Sequence, residues 1–458
     1  MRGNIDFNLV AKGGRILTHE GIRSFIVKYR DYKKKIKTNA QKDSPSETKI
    51  DLSFLKEQNP RYDDISFPSG HHSVEVSVII PVHNNLNYTI NSLRTLSQKT
   101  KGLYEVIVVD DASTDNSPEI ISKITGVHYI RNNEMAGFPK SCNMGVASCN
   151  GRFIVFLMNY CLVTDNWLEP LVELSNTKNI GAIGSKLINS DGKLLEAGGV
   201  VWNDATLFSY GAGDNPERPE YNFVREVDYC SGDALFVKKD SYEKINGFDE
   251  GFKTMNFGSM DICFSLKELG YKVFYNPKFK IIQLEELLIK GDADIGTKER
   301  KKTDLELFKK KWGAVLLKKH PVKNPFNIMA VKTRSNAKKI LVIDRYVPNF
   351  DKDAGSYRMY NILKILVDLG FNVTFIGNNF CRNYPYDSIL QQEGIEVIYS
   401  PFITSIEHYL SQSGPGFNVV IVSRPDYMIK YESTIRKYCP GAKIIYDTVD
   451  LRDRKSVV

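Results

Sequence analysis

Three short apolar runs, each separated from the next by a segment long enough for a helix, constrain this chain more than any other feature. They are VSVIIPV at Val76–Val82, YEVIVVDDASTD at 104–115 and GRFIVFLM at 151–158. Apolar runs of this length, bounded by polar residues, read as strands buried on both faces. Parallel neighbours need a crossover of about a dozen residues or more, usually a helix. The alternation therefore predicts an α/β class: a mostly parallel twisted sheet with helices on both faces. Ligands of such sheets sit beyond the C-terminal ends of the strands. Asn84, Asp110, Asp111 and residues 159–161 all fall at those ends, so one cleft collects them.

The pattern continues with helices over 116–124, 138–147 and 167–176 and a strand over 127–131. Residues 181–201 and 228–237 supply further strand material. Residues 241–247 and 261–270 read as short helices stopped by glycine, and 298–317 as a charged closing helix. At 338 the pattern restarts with KILVID, a helix over 354–369 and strands at 372–376, 395–399, 419–422 and 443–446. The expected organisation is a basic amphipathic lead helix at 1–37 and a linker and approach segment at 38–72. A first α/β domain at 73–325, a linker at 326–337 and a second, incomplete Rossmann-like unit at 338–458 follow.

At 458 residues the chain has room for about three units. Its net charge of +8 is uneven: residues 23–37 alone hold seven Lys or Arg against one Asp. A nucleic-acid surface would spread basic charge over a face or stripe, and none is expected here. The lead segment reads either as a membrane-surface helix or as a solvated helix packed on its neighbour. Seven scattered cysteines without a CxxC spacing read as reduced thiols in a cytoplasmic protein. No apolar run approaches a membrane span, so the expectation is a cytoplasmic protein, with peripheral attachment at the inner face of the membrane as the alternative.

Several motifs in fixed order carry a resemblance: SVIIPVHN, VIVVDDASTD, the 137–143 loop, NWLEPLV, GAIGSKL, DGKLLEAGG, NGFDEGF and ELGYKVFYNP. Together they resemble the family-2 glycosyltransferases, which have the GT-A fold and use nucleotide-diphosphate sugars. The resemblance covers roughly 73–321. It implies a nucleotide-sugar donor such as a UDP-sugar, a glycan acceptor and transfer with inversion. It also implies a divalent cation, Mn²⁺ or Mg²⁺, if the domain is active, and none otherwise. Pro81, Val82, Asn84, Asp110, Asp111, Gly137 and Asn143 are the nucleotide-binding positions it assigns. An aspartate suits that task because it accepts hydrogen bonds from ring N–H groups or ribose hydroxyls. Asp111 also reads as a turn residue before Ser113, and Gly137 as a plain turn glycine. The 338–458 unit resembles the N-terminal half of a family-4-like GT-B glycosyltransferase, without the half that holds the donor nucleotide.

Three positions depart from the family pattern. The metal acid, in a pattern like FLNNDT, is Tyr160; the general-base Asp of the Glu-Asp pair in a YEDxDLC-like pattern is Ser259; the late histidine of a VIHxEG-like pattern is Gln283. Hard cations take charged oxygen ligands, and a neutral phenol is a poor substitute. One reading keeps an active transferase with relocated groups: Asp261 as base, and Glu285 or Asp165 near the metal. Asp261 also reads as a first-turn carboxylate at a helix start. The other reading is a pseudo-glycosyltransferase that binds nucleotide or scaffolds a partner glycosyltransferase.

Overall fold

The computed structural model describes residues 60–68, 73–177, 179–284, 295–323 and 337–449. The lead segment 1–37, most of the approach segment, Glu285 and nearly all of the 326–337 linker lie outside these residues.

Val76–Val82 (β1) is followed by the helix Leu86–Lys99 (α1), Tyr104–Asp110 (β2) and the short helix Ser117–Ile121 (α2). Val127–Arg131 (β3), Phe138–Ala147 (α3) and Phe153–Leu157 (β4) complete a parallel half-sheet ordered β4-β1-β2-β3. Strand residues alternate between two cores. Val78, Ile80, Val106, Val108 and Val155 face α1 through Ile90, Leu93 and Leu96. Ile79, Ile107, Val109, Ile154 and Phe156 face α3 through Cys142 and Val146. Such two-sided burial is why these strands read as continuous apolar runs.

The second half of the sheet is mixed, which corrects the mostly parallel expectation. It contains Cys161–Val163 (β5), the helix Glu169–Thr177 (α4), Ile180–Asn189 (β6) and Leu194–Ala197 (β7). Gly199–Val201 (β8) and Leu207–Ser209 (β9) pair as a separate ribbon. Arg225–Glu226 (β10), Ala234–Lys238 (β11), the helices Lys239–Lys244 (α5) and Met255–Glu268 (α6), and Lys272–Gln283 (β12) complete it. β11 runs antiparallel between β4 and β6, whereas β6 and β12 are parallel. β6 and β7 form a hairpin turned at Gly192, whose φ of 81° is easy only for glycine. So short a connection cannot carry a parallel crossover. The long helix Ile295–Lys319 (α7) packs Phe308, Trp312 and Leu316 into the core shared with α6.

The helix expected over 261–270 starts six residues earlier, at Met255, so Asp261 stands inside α6 and not at its start. Packing is tight where β6 crosses the 230 loop. A Cβ added at Gly184 would lie 2.3 Å from both Cβ and Sγ of Cys230. Gly184→Ala is therefore expected to lower unfolding free energy by about 1–3 kcal/mol. A urea-unfolding curve superimposable on that of the wild type would contradict this packing.

A second sheet is parallel throughout. Its strands are Lys339–Asp344 (β13), Asn372–Gly377 (β14), Glu396–Ile398 (β15), Val419–Ser423 (β16) and Lys443–Asp447 (β17), in the order β15-β14-β13-β16-β17. The helices Ala354–Asp368 (α8) and Tyr386–Gln392 (α9) cover one face, and Ile406–Ser413 (α10) and Pro425–Tyr438 (α11) the other. Asp353 caps α8 through the Ser356 amide. Arg358 on α8 makes a two-pronged pair with Asp447 at the end of β17.

Candidate functional site

The C-terminal ends of β1 and β2 are tied together by side chains. The carbonyl of Val82, which follows the buried Pro81, accepts from the Asp111 amide at 2.7 Å. Asn84 holds φ at 59°, a conformation asparagine tolerates better than most residues. That turn aims its Oδ1 at the amides of Thr114 and Asp115, at 2.7 and 3.2 Å. Its own amide donates to Ser113 Oγ. Asp110 accepts from the Ser113 amide, the Tyr129 phenol and Arg131. Burial raises the Asp110 carboxyl, but these hydrogen bonds and the Arg131 charge outweigh it. The net position is below the ordinary value.

Asp111 organises the loop that leads into α3. Its Oδ1 accepts from Asn132 Nδ2 at 2.8 Å and the Ala136 amide at 2.7 Å, and its Oδ2 from the Gly137 amide at 2.8 Å. Gly137 has φ 89°, and nothing lies within 4 Å of where a Cβ would stand. The backbone there faces open space. Asn132, which sequence reasoning passed over, also reaches Ser141 Oγ, yet its own Oδ1 is buried without a hydrogen-bond partner. Pro81, Val82, Asn84, Asp110, Asp111 and Gly137 thus lie at one edge of the parallel half-sheet. Asn143 does not join them. Its amide is committed to Phe248, Glu250 and Tyr242, pinning the loop after α5.

Two of the three positions that depart from the family pattern, Tyr160 and Gln283, meet at a second cluster, beyond the end of β4. Tyr160 Oη donates to Asp233 Oδ1 at 2.8 Å, and Gln283 Nε2 donates to the same oxygen at 2.9 Å. Ser231 Oγ donates to Asp233 Oδ2. The Ser231 amide in turn donates to Glu196 Oε1, and Ser209 Oγ to Glu196 Oε2. The third position, Ser259, spends its hydroxyl on the Met255 carbonyl of its own helix, at 2.8 Å. Burial, then the Asp233 charge, keeps the Tyr160 phenol protonated far above its ordinary value. Burial also raises both carboxyls, that of Glu196 to about 7. Glu196 stands in the DGKLLEAGG motif and Asp233 in none of the motifs; only the fold reveals that the two share a cluster.

Asp261 lies elsewhere. It is 2% exposed, and its oxygens are taken by Trp312 Nε1 at 2.7 Å and Lys311 Nζ at 2.9 Å, both on α7. Burial raises its carboxyl despite those partners. A carboxylate so enclosed joins two helices and has no free face toward an acceptor. Asp165 is an exposed partner of Lys99 at 3.9 Å.

Residues 77–234 match the family described as Glycosyl transferase family 2. That stretch carries a family-2 glycosyltransferase domain, and with the sheet order it supports a GT-A-like α/β fold. The chain is 25% identical over 250 residues to a protein of Sinorhizobium fredii, "Uncharacterized protein y4gI", covering 52% of this chain and 27% of that one. It is 28% identical over 216 residues to a "Pre-mycofactocin glycosyltransferase" of Mycobacterium tuberculosis, covering 46% of this chain and 43% of that one. It thus spans less than half the length of either relative. A mannosyltransferase of Pyrobaculum calidifontis, solved with GDP-Man and Mn²⁺, is similar at a TM-score of 0.38 and 15% identity, over 61% of this chain and 72% of that one. Among the described residues no helix is long and apolar enough to cross a membrane.

Proposed function

We propose that the domain built on the first sheet binds a nucleotide-diphosphate sugar beyond the ends of β1 and β2 and transfers the sugar to a glycan acceptor with inversion. The family match over 77–234 supports the reaction class. One observation carries the placement: the buried, unpartnered Oδ1 of Asn132, beside the Asp111 carboxylate and the open backbone at Gly137. An orphaned buried acceptor costs about 1–3 kcal/mol. A ring or ribose donor from a nucleotide would satisfy it. The second sheet enters as a packed neighbour of the first, with Tyr399 Oη donating to the Glu217 carbonyl and the Val224 amide to that of Gln391.

Calorimetry of the full chain with UDP and GDP tests this. Asp111→Asn is expected to weaken binding at least about tenfold, or about 1.4 kcal/mol, with the circular dichroism spectrum unchanged. A folded variant that binds like the wild type, or a wild type that binds neither nucleotide, sinks the placement. A second reading, a nucleotide-binding scaffold without turnover, is favoured by the way Tyr160 and Gln283 spend their polar groups on Asp233. Nucleotide binding with no hydrolysis or transfer from any UDP- or GDP-sugar would select it.

A further inference from the structure

The resemblance places a divalent cation where Tyr160 and Gln283 stand, and the groups present do not fit one. Mg²⁺ and Mn²⁺ take oxygen ligands with lone pairs directed at the ion, preferably charged. Here the phenol and the amide present hydrogens, and both point at Asp233 Oδ1. Two donors on one carboxylate oxygen occupy both of its lone-pair directions. Oδ2 already accepts from Ser231, and each Glu196 oxygen accepts from a protein donor. No group of three or more His, Cys, Asp or Glu that could hold a metal occurs among the described residues. Two of the three departures are also not independent losses. Positions 160 and 283 come from distant parts of the chain, yet both close on Asp233 Oδ1. Random decay would leave unpaired groups; this cluster is mutually satisfied.

We infer that the donor cage around Asp233 replaces the divalent cation, so that this domain engages its nucleotide without a metal at the end of β4. The inference rests on the nucleotide-sugar reading above for the ligand, and on the Asp233 contacts alone for the metal. In this arrangement Tyr160 and Gln283 hold the Asp233 carboxylate in place. A cation entering there would have to displace both donors from a buried oxygen.

The test uses the full chain and two probes. First, Mn²⁺ alone is titrated and followed by its electron paramagnetic resonance signal, for the wild type, Asp233→Asn and Tyr160→Phe. The expected result is that the wild type binds no equivalent of Mn²⁺ that either variant loses. Mn²⁺ bound equally by all three chains lies elsewhere and also agrees with the inference. One equivalent bound by the wild type and lost in Asp233→Asn overturns it; if that chain does not fold, the same loss in Tyr160→Phe does so. Second, UDP and GDP affinities are compared in EDTA and in excess Mn²⁺. Affinities that agree within about tenfold support the inference. Strengthening by Mn²⁺ beyond that, abolished in either variant, overturns it. Should neither nucleotide bind under any condition, the nucleotide-sugar reading falls, while the Mn²⁺ titration still decides the question of the metal.

Discussion

Between pH 4.5 and 7.5 the wild-type chain is expected to lose about 3 kcal/mol of stability that the Glu196→Gln chain keeps. The Glu196 carboxyl moves from an ordinary 4.5 to about 7 in the folded chain. Burial is the main cause. Ser209 and the Ser231 amide oppose it, and the neighbouring Asp233 charge adds to it. A folded value above the unfolded one fixes the sign. Below about 4.5 the group is protonated in both states and costs nothing. As pH rises toward 7 the unfolded chain releases a proton that the folded chain still holds, so stability falls. Above 7 the full cost is present. At about 1.4 kcal/mol for each pH unit between the two values, that cost is about 3 kcal/mol. Glutamine keeps an acceptor for the Ser231 amide and an amide for Ser209, and it does not titrate. Urea-unfolding free energies for both chains across this pH range would show two curves that diverge as pH rises. Parallel curves would mean that Glu196 ionises freely, and the closed character of the Asp233 cluster would fall with it. The result bears on chemistry as well as stability. Glu196, raised to about 7 and joined to Asp233 through Ser231, can therefore hold a proton close to neutral pH.

What the sequence revealed and what it hid follow one physical division. β1, β2 and β4 are legible because two-sided burial writes continuous apolar runs, and the edge they share places Asp110 and Asp111 without further information. The reversed direction of β11 is not legible, because the same apolar run serves a parallel or an antiparallel strand. Tyr160, Ser259 and Gln283 stand out as departures, but the meeting of Gln283 and Tyr160 on Asp233 depends on contacts 50 and 73 residues apart along the chain. The contacts of Asn143 and Asp261 are illegible for the same reason. Each fits a motif, yet its side chain is spent on an element far away in sequence: Phe248 for one, Trp312 for the other. The start of α6 was placed late because no local signal marks it. Thr254, its N-cap, makes no capping bond with its own side chain.

The missing cap is supplied from α7, and removing it carries the second large effect. Asp304 is fully buried, and its carboxylate accepts from the Lys253 amide, the Thr254 amide at 2.7 Å and the Thr254 hydroxyl at 2.6 Å. A helix N-terminus leaves its first amides without intrahelical partners and favours negative charge nearby. Asp304 supplies the charge and fixes the N-cap residue and the one before it, from 50 residues away. Asp304→Ala would leave two amides and the Thr254 hydroxyl in a part-buried site without their acceptor, so an overall loss of about 2–3 kcal/mol is expected. Thr254→Ala removes only the hydroxyl and should cost about 1 kcal/mol. If Asp304 acts through this cap, the double variant will cost less than the two singles added together, because the hydroxyl bond is lost only once. Additive losses in urea unfolding would instead place Asp304's contribution elsewhere on α7. The same helix packs Ser259 against Gly232, next to Asp233, and carries Asp261 onto Trp312. A loosened α6 start should therefore also blunt the pH-dependent difference between the wild-type and Glu196→Gln chains. A cap that served only local stability would leave that difference intact.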